Sequence, residues 1–198
     1  MLVREAMTSE PLTATLRTTV KEALVTLSEH GITALPVVDR SGRLRGIVSE
    51  LDLIEDAIVR DPRAREHAIA VDPLRPPQTV EDVYTRSAVT VAPDDDIAVA
   101  VELMTATGAK SLPVVERGHR LVGVVSRSDI VRALARTDAV IASDVTALLS
   151  SVGRADWLVE VDDGVVLVTG PANVGEASLA RVVAQTVAGV VHVDTAPG

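Results

Sequence analysis

Two serine–aspartate pairs stand out as residues that could do chemistry: Ser49-Glu50-Leu51-Asp52 and Ser126-Arg127-Ser128-Asp129. Each sits where a β-prone run gives way to a helical one. A helix N-terminus presents unpaired backbone N–H groups and the positive end of the helix dipole, which suits a phosphate. The serine hydroxyl can donate or accept. An ionised aspartate one turn on only accepts, which suits the vicinal hydroxyls of a ribose. The same pattern also describes a plain helix cap, because Ser is a preferred N-cap residue. One copy alone favours the cap. Two copies in register favour a ligand.

The register is set by an internal repeat, and a repeat decides architecture. Gly-Ile-Thr-Ala-Leu-Pro-Val-Val at 31–38 returns as Gly-Ala-Lys-Ser-Leu-Pro-Val-Val at 108–115. A constant shift of 77 residues carries Pro36 to Pro113, Gly46 to Gly123, Ser49 to Ser126 and Asp52 to Asp129. Each copy predicts the order β-α-β-β-α. The first strands are expected at Leu12–Leu16 and Ala88–Ala92. Helices follow, capped by Thr18 or Thr19 and by Asp94–Asp96, and stopped by Gly31 and Gly108. Val20, Ala23, Leu24 and Leu27, then Ile97, Ala100, Val101 and Met104, form their inward faces at helical spacing. Paired strands begin near Pro36 and Pro113 and return over Leu44–Val48 and Leu121–Val125. A final helix starts near each Ser-x-x-Asp. Between the copies lies a proline-rich linker, residues 61–79.

From about Ala139 the pattern changes. Ile141–Val152 predicts an amphipathic helix, Trp157–Val161 and Val165–Thr169 a hairpin turning at Asp163-Gly164. After a loop over Gly170–Glu176, Ala177–Val187 predicts a second helix, with Leu179, Val182, Val183 and Thr186 inward. Val190–Val193 predicts a last strand. This α-β-β-α-β tail has about 60 residues, near the lower limit for an independent domain.

Composition narrows the function. The chain has 198 residues, 28 acids against 19 Lys and Arg, a net charge of −9, no cysteine and two aromatics. Such acidity disfavours nucleic-acid backbones, and two aromatics make no stacking platform. The absence of cysteine removes disulfides, thiolate catalysis and cysteine-ligated metals. No signal peptide and no membrane-length apolar run are read, so a cytoplasmic protein is expected. His30, His67, His119 and His192 lack metal-ligand spacing. Asp94–Asp96 read as helix caps rather than a cation site. Arg43, Arg45, Arg117, His119 and Arg120 read as solvated turn residues. No nucleophile–base arrangement, P-loop or paired-carboxylate context points to catalysis.

Both repeats resemble cystathionine-β-synthase (CBS) domains, over residues 1–60 and 80–136. The resemblance rests on Leu-Pro-Val-Val-Asp followed by Gly-Ile-Val-Ser-Glu-Leu-Asp, with a matching second copy. It implies a mixed α+β or α/β fold, two repeats packed with pseudo-twofold symmetry into a Bateman module. It also implies a non-catalytic regulatory sensor that binds AMP, ADP, ATP or S-adenosylmethionine and forms a homodimer. No cofactor is required. Two ligand sets follow from it. The first joins Ser126, Arg127, Ser128 and Asp129 to Leu12, Ile32 and Thr33. Asp129 would hold the ribose, and Leu12 and Ile32 would sandwich the base. The second joins Ser49, Glu50 and Asp52 to Val89, Ala109 and Lys110, with Lys110 available to phosphate. The Asp129 set ranks first, because Glu50 stands where that set has Arg127, and a carboxylate repels polyphosphate.

The tail, residues 139–196, resembles the BON domain through its Asp-Asp-Gly hairpin and the run Gly189-Val190-Val191-His192-Val193. That resemblance implies contact with phospholipid or another macromolecule and a relay to a protein partner. Charge supports lipid contact only weakly, since Arg154 and Arg181 are the tail's only Lys or Arg residues. Trp157 reads as core or interface. The alternative to a sensor is a structural or interaction protein with empty clefts, assembling through its CBS and BON-like surfaces.

Overall fold

The computed structural model describes residues 1–55 and 78–198. Most of the expected linker lies outside the described residues. The elements in chain order are α1 (Val3–Ala6), β1 (Thr8–Ser9), α2 (Val20–His30), β2 (Ala34–Val38), β3 (Leu44–Ser49), α3 (Glu50–Glu55), α4 (Val80–Val83), α5 (Ile97–Thr107), β4 (Ser111–Glu116), β5 (Arg120–Ser126), α6 (Arg127–Leu134), α7 (Asp138–Ser151), β6 (Leu158–Asp162), β7 (Val165–Thr169), α8 (Val174–Gln185) and β8 (His192–Ala196). They fall into two compact units, Met7–Ser126 and Met1–Ala6 with Arg127–Gly198. The cut between Ser126 and Arg127 falls inside the span read as the second repeat.

Within Met7–Ser126 the repeat is visible at atomic level. β2 pairs with β3 and β4 with β5, both antiparallel, and both hairpins carry a bulge at the same place, Val37/Val38 and Val114/Val115. Thr19 caps α2 in a full capping box with Glu22, and Asp96 caps α5 by accepting from the Ala98 amide. Gly31 and Gly108 close these helices in the left-handed conformation that a side chain disfavours. Val20, Ala23 and Leu27 bury against Leu35, Val37, Val48 and Leu53, with Leu24 packed at the margin. On α5 only Ala100 and Met104 are buried; Val101, expected inside, is 42% exposed.

The expected strands at Leu12–Leu16 and Ala88–Ala92 do not form. Each contributes one parallel bridge instead, Ala14 to Val37 and Val91 to Val114. The bonds of each bridge flank a single residue: Ala14 donates to Pro36 and accepts from Val38, and Val91 donates to Pro113 and accepts from Val115. Pro11 and Pro93 flank these runs and limit further ladder bonding.

The repeats also exchange partners, which the sequence pattern did not reveal. Thr8 of β1 pairs with Val124 in the second hairpin, and Thr85 pairs with Ile47 in the first. The hairpin tips bond reciprocally, Leu44 N to His119 O at 2.9 Å and Leu121 N to Gly42 O at 3.2 Å. This crossing explains a repeated glycine. A Cβ on Gly46 would stand 2.2 Å from the Thr85 carbonyl oxygen, and one on Gly123 would stand 3.0 Å from that of Thr8.

The second unit holds the tail. Its order after α6 is α7-β6-β7-α8-β8, the α-β-β-α-β expected, in a sheet ordered β6-β7-β8. Asp163 and Gly164 both take positive φ in the hairpin turn. Their amides donate to the Asp138 carboxylate at 3.0 and 2.9 Å. The core gathers Ile141, Val145, Leu149, Trp157, Val166, Val168, Ala180, Ala184, Val187 and Val193. Helix α8 begins at Val174, inside the expected loop, because Asn173 caps it. Its inward face is Ala180 and Ala184 flanked by Leu179 and Val183; Val182 and Thr186, expected inward, are exposed. The last strand lies at His192–Ala196, later than expected, because Gly189 takes positive φ just before it.

Candidate functional site

The Asp52 set is assembled by four segments. Strand β3 ends at Ser49 and α3 starts at Glu50, so the Ser-x-x-Asp straddles the junction. The Ser49 amide and hydroxyl both donate to Asp52 Oδ2 at 2.7 Å, and the Asp52 amide approaches Ser49 Oγ at 3.3 Å. This is a reciprocal cap, as the simpler sequence reading requires. It uses one carboxylate oxygen. Among the described residues no side-chain donor is bonded to Asp52 Oδ1.

The same pair lines a cavity of about 620 Å³. One wall is Thr33, Ala34, Ile47 and Ser49 through Asp52 with Ile54; the opposite wall is Thr107 through Leu112; Thr85 and Ser87 through Val89 close it. Every member of the Asp52 set is there: Ser49, Glu50, Asp52, Val89, Ala109 and Lys110. Such a volume is ordinary for a small-molecule site. The lining is largely apolar, through Ala34, Ile47, Leu51, Ile54, Ala88, Val89, Ala109 and Leu112, with hydroxyls from Thr33, Ser49, Thr85, Ser87, Thr107 and Ser111.

Its charges are already paired in part. Lys110 forms an ion pair with Glu50, reaching from the second repeat to the first. The cation expected to meet phosphate is therefore engaged by the carboxylate expected to repel it. Both side chains remain substantially exposed, so the pair is worth at most about 1 kcal/mol.

The residues of the other set belong to both units. Ser126 ends β5 in one unit, whereas Arg127, Ser128 and Asp129 open α6 in the other. Asp129 is buried and accepts from Arg132 at 3.0 Å. Leu12 is 43% exposed, and Ile32 packs at the margin of the first repeat's core. Thr33, assigned to this set from the sequence, lines the Asp52 cavity. Thr85 and Ser87 were missed altogether. Their signal was the repeat shift itself, which equates Thr85 with Thr8, but the partner exchange that brings Thr85 to the cavity leaves no mark in a linear pattern. Among the described residues no cluster of His, Cys, Asp and Glu could hold a metal, and no helix is long and apolar enough to cross a membrane.

The sequence matches the CBS domain family over residues 3–58 and 80–136. The chain belongs to the CBS domain family. It carries the domain in tandem, and the tail lies beyond both matches. Over 139 residues it is 32% identical to a CBS domain-containing protein of Dictyostelium discoideum, covering 66% of this chain and 88% of that one. Over 132 residues, 67% of this chain, it is 36% identical to the A-adding tRNA nucleotidyltransferase of Aquifex aeolicus, of which the match spans only 14%. Among solved structures, this CBS pair resembles that of MJ0100 in complex with 5′-methylthioadenosine and S-adenosyl-L-methionine (TM-score 0.56, 27% identity, 67% of this chain and 94% of that one). It also resembles CBSX2 in complex with AMP (TM-score 0.53, 27% identity, 67% and 94%).

Proposed function

We propose that this CBS pair is a non-catalytic regulatory sensor that holds an adenosine-containing ligand in the cleft around Asp52. The observation that carries the reading is the cavity itself. The six residues of the Asp52 set line one 620 Å³ space, and two of the solved structures this chain resembles are complexes with adenosine compounds. Asp52 Oδ1 accepts from the ribose hydroxyls while Oδ2 keeps the cap. Val89, Ala109 and Ile54 pack against the base, and Thr33 and Ser111 supply polar contacts. Because Lys110 is paired with Glu50, the cleft itself favours a nucleoside or a sulfonium over a polyphosphate. The Asp129 set is a second candidate for the same ligand class.

In this reading the tail, residues 139–196, is a BON-like module that relays the bound state to a protein partner. A homodimer and a cytoplasmic location belong to the same reading. A ligand that bridges both repeats favours one of their relative arrangements, which is how binding becomes a signal.

The competing reading, a structural protein with empty clefts, draws on the Ser49–Asp52 cap, which is complete without a ligand. A thermal-shift series separates the two. Adenosine, 5′-methylthioadenosine, S-adenosylmethionine, AMP and ATP are each added to the wild type, Asp52→Ala and Asp52→Asn. A ligand at a hundred times its Kd adds about 2.7 kcal/mol of stability. The sensor reading expects such a shift with at least one compound and its loss in both variants. The assembly reading expects a lower melting point for Asp52→Ala and no ligand effect in any protein.

A further inference from the structure

A second pocket in the Met7–Ser126 unit has the opposite charge character. It encloses about 390 Å³ and is lined by Leu44, Arg45, Tyr84, Arg86, Ser87, Ala88, Thr90 and His119. No carboxylate lines it, in a chain whose net charge is −9. Neither Arg45 nor Arg86 has an acidic partner among the described residues. The Arg86 guanidinium carbon lies 5.8 Å from the centroid of the Tyr84 ring, which orients its planar fork.

The repeat provides an internal control. A shift of 77 residues equates Arg45 with Val122, Arg86 with Ser9, His119 with Gly42 and Ser87 with Glu10. The matching place on the other half therefore has no base and gains an acid. The backbone frame is shared, so the fold does not require these side chains. His119 even holds φ +59°, where its counterpart Gly42 holds +76°. A histidine in that left-handed conformation carries a backbone cost that glycine avoids.

We propose that this pocket binds a phosphate group. Two guanidinium forks match phosphate oxygens in a bidentate way, and an imidazole adds a further donor. Ser87 and Ala88 line both this pocket and the Asp52 cavity. The phosphate can therefore come from a nucleotide seated in the cleft or from a separate phosphorylated molecule. The site does not depend on the cleft reading.

Isothermal titration of the full chain with inorganic pyrophosphate tests it. The wild type should bind saturably, and Arg45→Gln/Arg86→Gln should weaken binding about tenfold or more. Arg117→Gln, on the same turn as His119 but outside the pocket, should leave it unchanged. Parallel titrations with AMP and adenosine identify the source. A loss confined to AMP in the double variant assigns the phosphate to the cleft's own ligand. Unchanged AMP and adenosine binding, with pyrophosphate lost, assigns it to a separate molecule. No pyrophosphate binding by the wild type, or an equal loss in Arg117→Gln, overturns the proposal. If pyrophosphate binds while no adenosine compound does, the cleft reading fails and this one stands.

Discussion

The hairpins β2–β3 and β4–β5 are one design used twice, with a shared backbone frame and different side chains around it. Both keep Leu-Pro-Val-Val, a bulge between its two valines, and a glycine under the strand that crosses from the other repeat. Around that frame the side chains diverge. The 77-residue shift equates Arg45 with Val122, His119 with Gly42, Glu22 with Val99, and Glu50 with Arg127. Glycine is kept at 46 and 123, where a crossing main chain leaves no room for a side chain, while residues around the cavities change. A duplicated module thereby acquires two unlike pockets without changing its fold.

The strongest way to break the symmetry is at the glycines. Alanine at Gly46 would force its methyl to 2.2 Å from a backbone oxygen that cannot move aside. At Gly123 the nearest atom, 2.7 Å away, is the flexible Met7 sulfur. Gly46→Ala should cost about 3 kcal/mol or more and Gly123→Ala about 1 kcal/mol, measured by urea unfolding. Equal costs would mean that the crossing strands do not pack as described.

A smaller effect follows from exchanging the turn residues. His119→Gly should stabilise the chain by roughly 0.5 kcal/mol, the left-handed penalty less the added chain entropy. Gly42→His should cost about 1 kcal/mol. The same unfolding series reads both, and a destabilised His119→Gly would show that the imidazole supports the turn.

The smallest contrast is in acid. Bonds from the Thr19 backbone and then its hydroxyl hold the Glu22 carboxyl below its ordinary value of 4.5. Bonds led by the Ser41 hydroxyl do the same for Asp39, whose ordinary value is 3.8. A depressed carboxylate contributes stability that is present above its unfolded value and lost as pH falls through the folded one. The second repeat has Val99 at the Glu22 position. Melting temperature should therefore fall below pH 4.5 less steeply in Glu22→Gln than in the wild type. An unchanged slope would remove Glu22 from the acid response.

Much of this was legible because it is local. Thr19, Asp96, Gly31 and Gly108 each do their work within one turn of chain, and the period of the apolar residues located α2, α5 and both hairpins. The six residues of the Asp52 set that line its cavity were nominated by the repeat together with the family resemblance. What stayed hidden depends on contacts distant in sequence. Thr85 reaches the first hairpin only by partner exchange, and Lys110 meets Glu50 across sixty residues, so its cation looked available. Leu12–Leu16 carried strand propensity, yet only Ala14 finds a ladder partner. Val101 and Val182 satisfied the helical period on helices whose buried face is narrower than their apolar one.

The central claim is that the cleft around Asp52 holds an adenosine compound. Isothermal titration of 5′-methylthioadenosine and AMP into the wild type, Asp52→Asn and Asp129→Asn tests it most directly. Binding by the wild type that falls tenfold or more in Asp52→Asn, with α3 still folded, is the expected result. Binding that survives Asp52→Asn and disappears in Asp129→Asn would contradict it and move the ligand to the other set.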